Sequence, residues 1–262
     1  MNQTASKKPL ILGIVNATPD SFSDGGTYDP AEHADRLLET GADALDVGGE
    51  STRPGFTEVP EEEELRRVIP VVERLRSLYP NLTISVDTRK SRVAARALEA
   101  GANWINDVSG GSYDPEILQV AAAGNALFLI GHDSRIHHAP PGTGGGIAEA
   151  VLACWRELVS RALAAGIRAE NIMVDPGFGF GKEVGDNLAL VRDFGKLVAG
   201  SPAKICVGVS RKRFLGPERK PLERAEATRR LEAELAAAGA DVIRTHDPEA
   251  FRQAFRERMS ER

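Results

Sequence analysis

The chain has 262 residues, 33 basic and 38 acidic side chains mixed along its length, and a formal net charge of −5. A chain of this size suits one α/β barrel of ~250 residues and can bury about three quarters of the surface it exposes when unfolded, so neither disulfides nor a structural metal is needed to hold it. The absence of a long basic block argues against a nucleic-acid partner, and the two cysteines, Cys154 and Cys206, lack the spacing of a zinc site.

Residues 1–8 are polar and read as a flexible start without the apolar run of a signal peptide. No later stretch approaches the ~20 apolar residues of a membrane span, so a cytoplasmic protein is expected. The first apolar run, 10–15, reads as a strand. It is followed by a long loop from Asn16 through Phe22 to Gly26. Turn-forming residues explain its composition, but its length fits a ligand clamp better than a turn. A helix is predicted at 30–40 and a strand at 44–47, which ends near Asp46. The loop that follows, Gly48-Gly49-Glu50-Ser51-Thr52-Arg53-Pro54-Gly55, lets backbone approach a ligand and offers hydroxyl and guanidinium donors to an anion. Acidic residues 58–64 open a helix at 61–78, where they suit the helix dipole and a solvated face.

The same unit then recurs. Strand 83–86 ends at Asp87 and precedes helix 90–100. Strand 104–105 ends at Asn106 and Asp107 before helix 115–123. Strand 126–130 leads to His132 and Asp133 and then to helix 147–165. Strand 172–174 ends at Asp175 before helix 186–198. Strand 205–209 ends at Ser210, Arg211 and Lys212 before helix 222–238, and strand 242–243 leads to Arg244 and His246 before helix 248–259. Gly41, Gly101, Gly124, Gly166 and Gly239 sit where a left-handed residue closes a helix. Asp29, Asp114 and Asp247 each precede a first-turn proline as capping carboxylates.

Eight strand–helix repeats with continuous apolar strands predict a single-domain (β/α)8 TIM barrel over residues 1–262, with a doubly wound open sheet as the alternative. In a barrel all strand C-termini share the catalytic face, so the polar strand ends converge on one mouth. Asp87, Asn106 and Asp175 can recognise the donor–acceptor edge of a heterocycle. Each alone could instead cap a helix, Asp87 with Thr88 before Lys90 being the plainest case. The glycine-rich stretch 175–182 lacks the spacing of a P-loop, which argues against a nucleoside triphosphate, and Phe178 and Phe180 could wall a flat ligand. Arg and Lys after the seventh and eighth strands suit an anionic group.

Taken together, the segments 13–26, 46–55, 85–88, 105–110, 175–182, 210–212 and 244–247 resemble the dihydropteroate synthases of the pterin-binding superfamily, in that family's order and over nearly the whole chain. The resemblance implies an enzyme that condenses 6-hydroxymethyl-7,8-dihydropterin pyrophosphate with p-aminobenzoate, giving 7,8-dihydropteroate and pyrophosphate. It implies that Asp87, Asn106, Asp175 and Lys212 hold the pterin, and that Arg53, Arg244 and His246 bind the pyrophosphate. Asn16 would help to hold Mg2+. Phe22, Thr52, Pro54, Phe180, Ser210 and Lys212 would form the p-aminobenzoate pocket. Asp87, Lys212, Arg244 and His246 are the residues expected to act in the chemistry. A homodimer and inhibition by sulfonamides, which mimic p-aminobenzoate, follow from the same resemblance.

Two stretches depart from the family's pattern. Gly131-His132-Asp133 stands where a Met-His-Met-like run is usual, which implies an altered wall of the pterin pocket. Residues 213–228 are charged and lack the usual small-residue pattern. A diverged pterin-binding paralogue and a pterin-dependent methyltransferase domain, which shares the barrel, are the alternative readings.

Overall fold

A computed structural model describes residues 8–17, 29–50, 58–138, 145–216, 218 and 224–260. Eight parallel strands close in sequence order: β1 (Leu10–Asn16), β2 (Ala44–Gly48), β3 (Thr83–Asp87), β4 (Trp104–Asp107), β5 (Leu127–Gly131), β6 (Ile172–Asp175), β7 (Lys204–Val207) and β8 (Val242–Thr245). β8 returns to β1 with Leu10 opposite Val242, which closes the sheet and excludes the open doubly wound alternative. Most strands run one or two residues past the apolar runs seen in the sequence. The polar residues Asn16, Asp87, Asn106, Asp107 and Asp175 are therefore the last residues of the ladder rather than the first of a loop.

The outer ring is α1 (Pro30–Glu39), α2 (Glu61–Leu78), α3 (Ser91–Glu99), α4 (Glu116–Ala123), α5 (Ile147–Ala164), α6 (Val184–Arg192), α7 (Phe194–Gly200), α8 (Ala225–Ala237) and α9 (Pro248–Ser260). The helix expected at 186–198 is two helices. Asp193 leaves helical geometry between them, with its carboxylate near Arg192 (3.3 Å) and Lys196 (3.2 Å). Gly41, Gly101, Gly166 and Gly239 close helices at φ between +96° and +116° as expected, but Gly124 does not. Asn125 (φ 48°) takes the left-handed position one residue later, which asparagine tolerates better than most side chains. Asp29 caps α1 through the Ala31 amide at 2.8 Å. Among the described residues no helix is long and apolar enough to cross a membrane.

Period-two alternation along the strands sorts side chains into two environments. Ile11, Val15, Leu45, Val47, Ile84, Val86, Ile105, Phe128, Ile130, Val174 and Val207 point outward and pack with the helices in one continuous core. The inward set begins with a lower apolar plug of Leu12, Ala44, Leu129, Met173, Cys206 and Val242. Two residues further along these strands, the inward positions become Ile14, Asp46, Gly131, Asp175, Gly208 and Arg244, joined by Asn106 two residues past Trp104 of β4. The barrel is thus sealed by hydrocarbon below and lined with hydrogen-bonding groups above.

Candidate active site

The upper layer is organised around Arg244. Its Nε donates to Asp46 Oδ2 at 2.5 Å and its Nη2 to Asp87 Oδ2 at 2.6 Å. Asn106 Nδ2 donates to the same Asp46 oxygen at 2.9 Å, which leaves the amide oxygen of Asn106 available to a ligand N–H. Strand register makes the cluster: Gly48 and Asn106 lie on either side of Asp87. Gly48 puts no side chain beside that carboxylate. Asp46 is fully buried, and its Oδ1 has no hydrogen-bond partner among the described residues. A charged group is tolerated there because the guanidinium and the amide converge on its other oxygen.

Burial raises the Asp87 carboxyl to about 7 against the pull of Arg244, with Asp46 and Glu64 adding to the rise. Asp175 is also raised by burial, opposed by the Gly177 amide, which donates to Oδ1 at 2.6 Å. Lys212 completes the set. Its ammonium lies 3.9 Å from the centre of the Phe180 ring, and its stem runs past Gly179, where a Cβ would meet Lys212 Cδ at 3.2 Å. Burial, together with Arg244, lowers the Lys212 ammonium to about 8. A ring ligand would therefore meet an acid and a base that both titrate close to neutrality, the usual sign of a working site.

Asn16, Asp87, Phe180, Lys212, Arg244 and His246 line a cavity of about 560 Å³ at the barrel mouth. His246 is oriented by Ser210, whose Oγ lies 2.9 Å from Nδ1 and accepts from the His246 backbone N–H at 3.3 Å. Ser210 thus lies beneath the imidazole as well as on the cavity wall. The structure brings together Asn16, Asp87, Asn106, Asp175, Phe180, Ser210, Lys212, Arg244 and His246 at one mouth. Phe22, Thr52, Arg53 and Pro54 lie outside the described residues. Asp87 is not a helix cap: the Lys90 amide donates to Thr88 Oγ1 (3.2 Å), and the first amide of α3, Ser91, donates to Asp114 in the next loop (2.7 Å).

Asp46 is the residue that sequence reasoning left out. It was visible as a polar strand end, and its inward register with Asp87 two strand positions away was the signal that could have added it. Lys182, inside the glycine-rich stretch, is structural. Its ammonium donates to the carbonyls of His132 and Gly177 at 2.9 Å each and fastens the loop after β6 to that after β5. In the charged segment after Lys212, Arg224 donates to the Arg211 carbonyl at 2.6 Å and Phe214 stacks on Phe178, so the described part packs against the barrel.

Cys154 lies with His132 and His137 in a group whose ligand atoms are within 4.8 Å of one another, a proximity that sequence spacing did not reveal. His137 is already engaged at both nitrogens, with the Asp133 amide at Nδ1 (3.1 Å) and the Ser109 carbonyl at Nε2 (3.0 Å). Burial and the neighbouring Lys182 charge hold His132 down at about 3. These contacts describe a packed corner rather than a ligand shell.

Residues 12–246 match the family model described as pterin binding enzyme. The dihydropteroate synthase of Bacillus subtilis (strain 168) is 40% identical over 247 residues, covering 92% of this chain and 84% of that protein. Xanthomonas albilineans dihydropteroate synthase with 4-aminobenzoic acid superposes with a TM-score of 0.86 at 39% identity, covering 97% of this chain and 93% of that one. Yersinia pestis dihydropteroate synthase with a sulfonamide drug gives 0.87 at 34% identity, covering 97% and 94%.

Proposed function

This chain belongs to the dihydropteroate synthase family, and from that premise we propose how its barrel mouth carries out the family's reaction. The enzyme is a transferase of folate biosynthesis. It joins 6-hydroxymethyl-7,8-dihydropterin pyrophosphate to p-aminobenzoate and releases 7,8-dihydropteroate and pyrophosphate. A C–O bond breaks, a C–N bond forms and the amine gives up one proton. The observation that carries the assignment of roles is the convergence of Asp46, Asp87, Asn106, Asp175 and Arg244 in one inward layer above an apolar plug.

Asp87, Asn106 and Asp175 hold the pterin by its hydrogen-bonding edges, with Asp46 fixing the amide of Asn106 and the guanidinium of Arg244. As the leaving group departs, positive charge develops on the pterin methylene and spreads into the ring, and the Asp87 carboxylate stabilises it. Lys212, Arg244, His246 and Arg53 counter the negative charge of the departing pyrophosphate. The arylamine is then nucleophilic enough without a covalent enzyme intermediate. Phe180 walls its pocket beside Ser210, and Phe22, Thr52 and Pro54 are proposed to complete it. Sulfonamides are expected to compete for that pocket.

Mg2+ belongs to the proposal as a partner of the pyrophosphate. Asn16 offers one neutral oxygen at the mouth near His246, and no cluster of carboxylates adjoins it among the described residues. That donor set fits a hard cation carried mainly by phosphate oxygens and water. When bound, the ion would neutralise charge on the leaving group. A homodimer is proposed on the same family grounds.

The test is pyrophosphate release assayed with pterin pyrophosphate, p-aminobenzoate and Mg2+, each omitted in turn. Release that requires all three, with dihydropteroate as product, is the expected result. Pterin binding without release would instead identify a paralogue that has lost turnover.

A further inference from the structure

The departure at Gly131–Asp133 leads to an inference that rests on the function proposed above. β5 brings Gly131 inward, in register with Asp175. A side chain cannot stand there, because a Cβ would lie 2.6 Å from Val108 Cα and 2.9 Å from its carbonyl oxygen. The backbone after β4 fills the space, so β5 presents no side chain at this position.

Two residues further on, Asp133 has a side chain only 3% exposed. It holds Arg135 by a planar fork, with Nε donating to Oδ1 at 2.9 Å and Nη2 to Oδ2 at 2.6 Å. The Arg135 backbone N–H donates to Oδ1 at 2.9 Å as well. The loop is fastened from the far side by His132 N–H to the Asp175 carbonyl (3.1 Å) and Ser134 N–H to the Phe180 carbonyl (3.2 Å). Gly181 makes room for the pair. At its φ of +62° a Cβ would lie 2.7 Å from Arg135 Cγ and 2.8 Å from its backbone nitrogen.

This is a built feature rather than a loose surface ion pair. The arginine side chain nevertheless remains 46% exposed, and its Nη1 makes no hydrogen bond among the described residues. Asp87, Val108, Asp133, Arg135 and Ile136 line a cavity of about 190 Å³ that shares Asp87 with the main one. In the closed barrel β5 lies across from β1. Arg135 is therefore on the side of the mouth away from Asn16.

We propose that Arg135, docked on Asp133, is a substrate-binding residue that lies against the flat pterin ring and forms the β5-side wall that Gly131 leaves out. A guanidinium plane is weakly hydrated and stacks on aromatic faces, and Nη1 keeps a donor for a ring nitrogen or oxygen.

The test compares wild type with R135A, R135K and D133N/R135A by calorimetric titration of 6-hydroxymethylpterin and, separately, of inorganic pyrophosphate with Mg2+. Steady-state KM values are measured for both substrates. R135A is expected to weaken 6-hydroxymethylpterin about tenfold, in line with a desolvated cation–π contact, and to raise the KM of the pterin substrate to match. Pyrophosphate affinity and the KM for p-aminobenzoate should stay within twofold. R135K, lacking the plane, should not restore the ring affinity. D133N/R135A removes the carboxylate that R135A strands, so it is the variant to read if R135A does not fold. Ring affinity within twofold of wild type in a folded variant would overturn the proposal, as would a loss confined to pyrophosphate. A wild-type protein that neither binds the pterin nor releases pyrophosphate would overturn the assigned function and this role with it, whereas a loss seen only in the variants concerns Arg135 alone.

Discussion

At the level of single residues, burial draws the two key titrating groups toward each other, with Asp87 raised to about 7 and Lys212 lowered to about 8. The carboxylate loses its charge as pH falls through 7, and the ammonium loses its charge as pH rises through 8. If both charges are needed, kcat/KM for the pterin substrate in the free enzyme is bell-shaped, with limbs near those values. An initial-rate profile from pH 5 to 10 checks this, and an acid limb that persists unchanged in D87N would remove Asp87 as its source. Asp87→Asn should also lower kcat by about a hundredfold or more, the cost typical of losing a group aimed at transition-state charge. The amide can still accept from Arg244, so the melting temperature should move little. A thermal scan beside the rate assay decides, because a variant that loses activity only in proportion to its folded fraction would make Asp87 structural.

Among the elements, the loop after β2 and the start of α2 are joined by a buried knot centred on Lys90. Its ammonium donates to Glu50 Oε2 (2.9 Å), Glu64 Oε2 (2.5 Å) and the Val59 carbonyl (2.9 Å), and Glu50 accepts the Val59 amide at 2.9 Å. All three ammonium protons are thus used. Glu50 and Val59 are consequently held together by Lys90, which lies three positions after Asp87. Removing the cation strands Glu64, whose side chain is 2% exposed, and leaves Glu50 with Arg89 (3.2 Å) and the Val59 amide. Lys90→Met should cost about 3–5 kcal/mol in urea unfolding. K90M/E64Q should recover part of that loss, since it removes the carboxylate left without a cation while Glu50 keeps Arg89. A K90M protein as stable as wild type would show that water or rearrangement relieves that carboxylate.

For the whole molecule, the mouth depends on the outer shell. Trp155 of α5 is fully buried, and its Nε1 donates to the carbonyl of Asp175 at 3.3 Å. The core thereby reaches the end of β6. Trp155→Ala should lower stability by about 3–5 kcal/mol, which for a chain of this size lowers the melting temperature by roughly 10 °C. The pterin substrate binds only the folded form. At about 100 times Kd it should return close to 2.7 kcal/mol, so a thermal shift with and without ligand separates lost packing from a lost site. A variant that melts like wild type would mean the shell around Trp155 can collapse and refill the space.

The sequence alone determined the eight strands and the order of the strand–helix units, because apolar runs and capping residues are local signals. It also indicated that polar strand ends share a face, because closure of a parallel barrel forces that. Asp87, Asn106, Asp175, Lys212, Arg244 and His246 were legible for this reason. What the tertiary structure decided was which of those groups touch. Asp46 became the hinge between Asn106 and Arg244 only through strand register, across 60 and 198 residues of sequence. In sequence Gly131 implied an altered pocket wall, whereas the structure fills its place with Val108 backbone and docks Arg135 on Asp133. Such outcomes depend on distances between distant segments, and a chain states its local preferences without stating those distances.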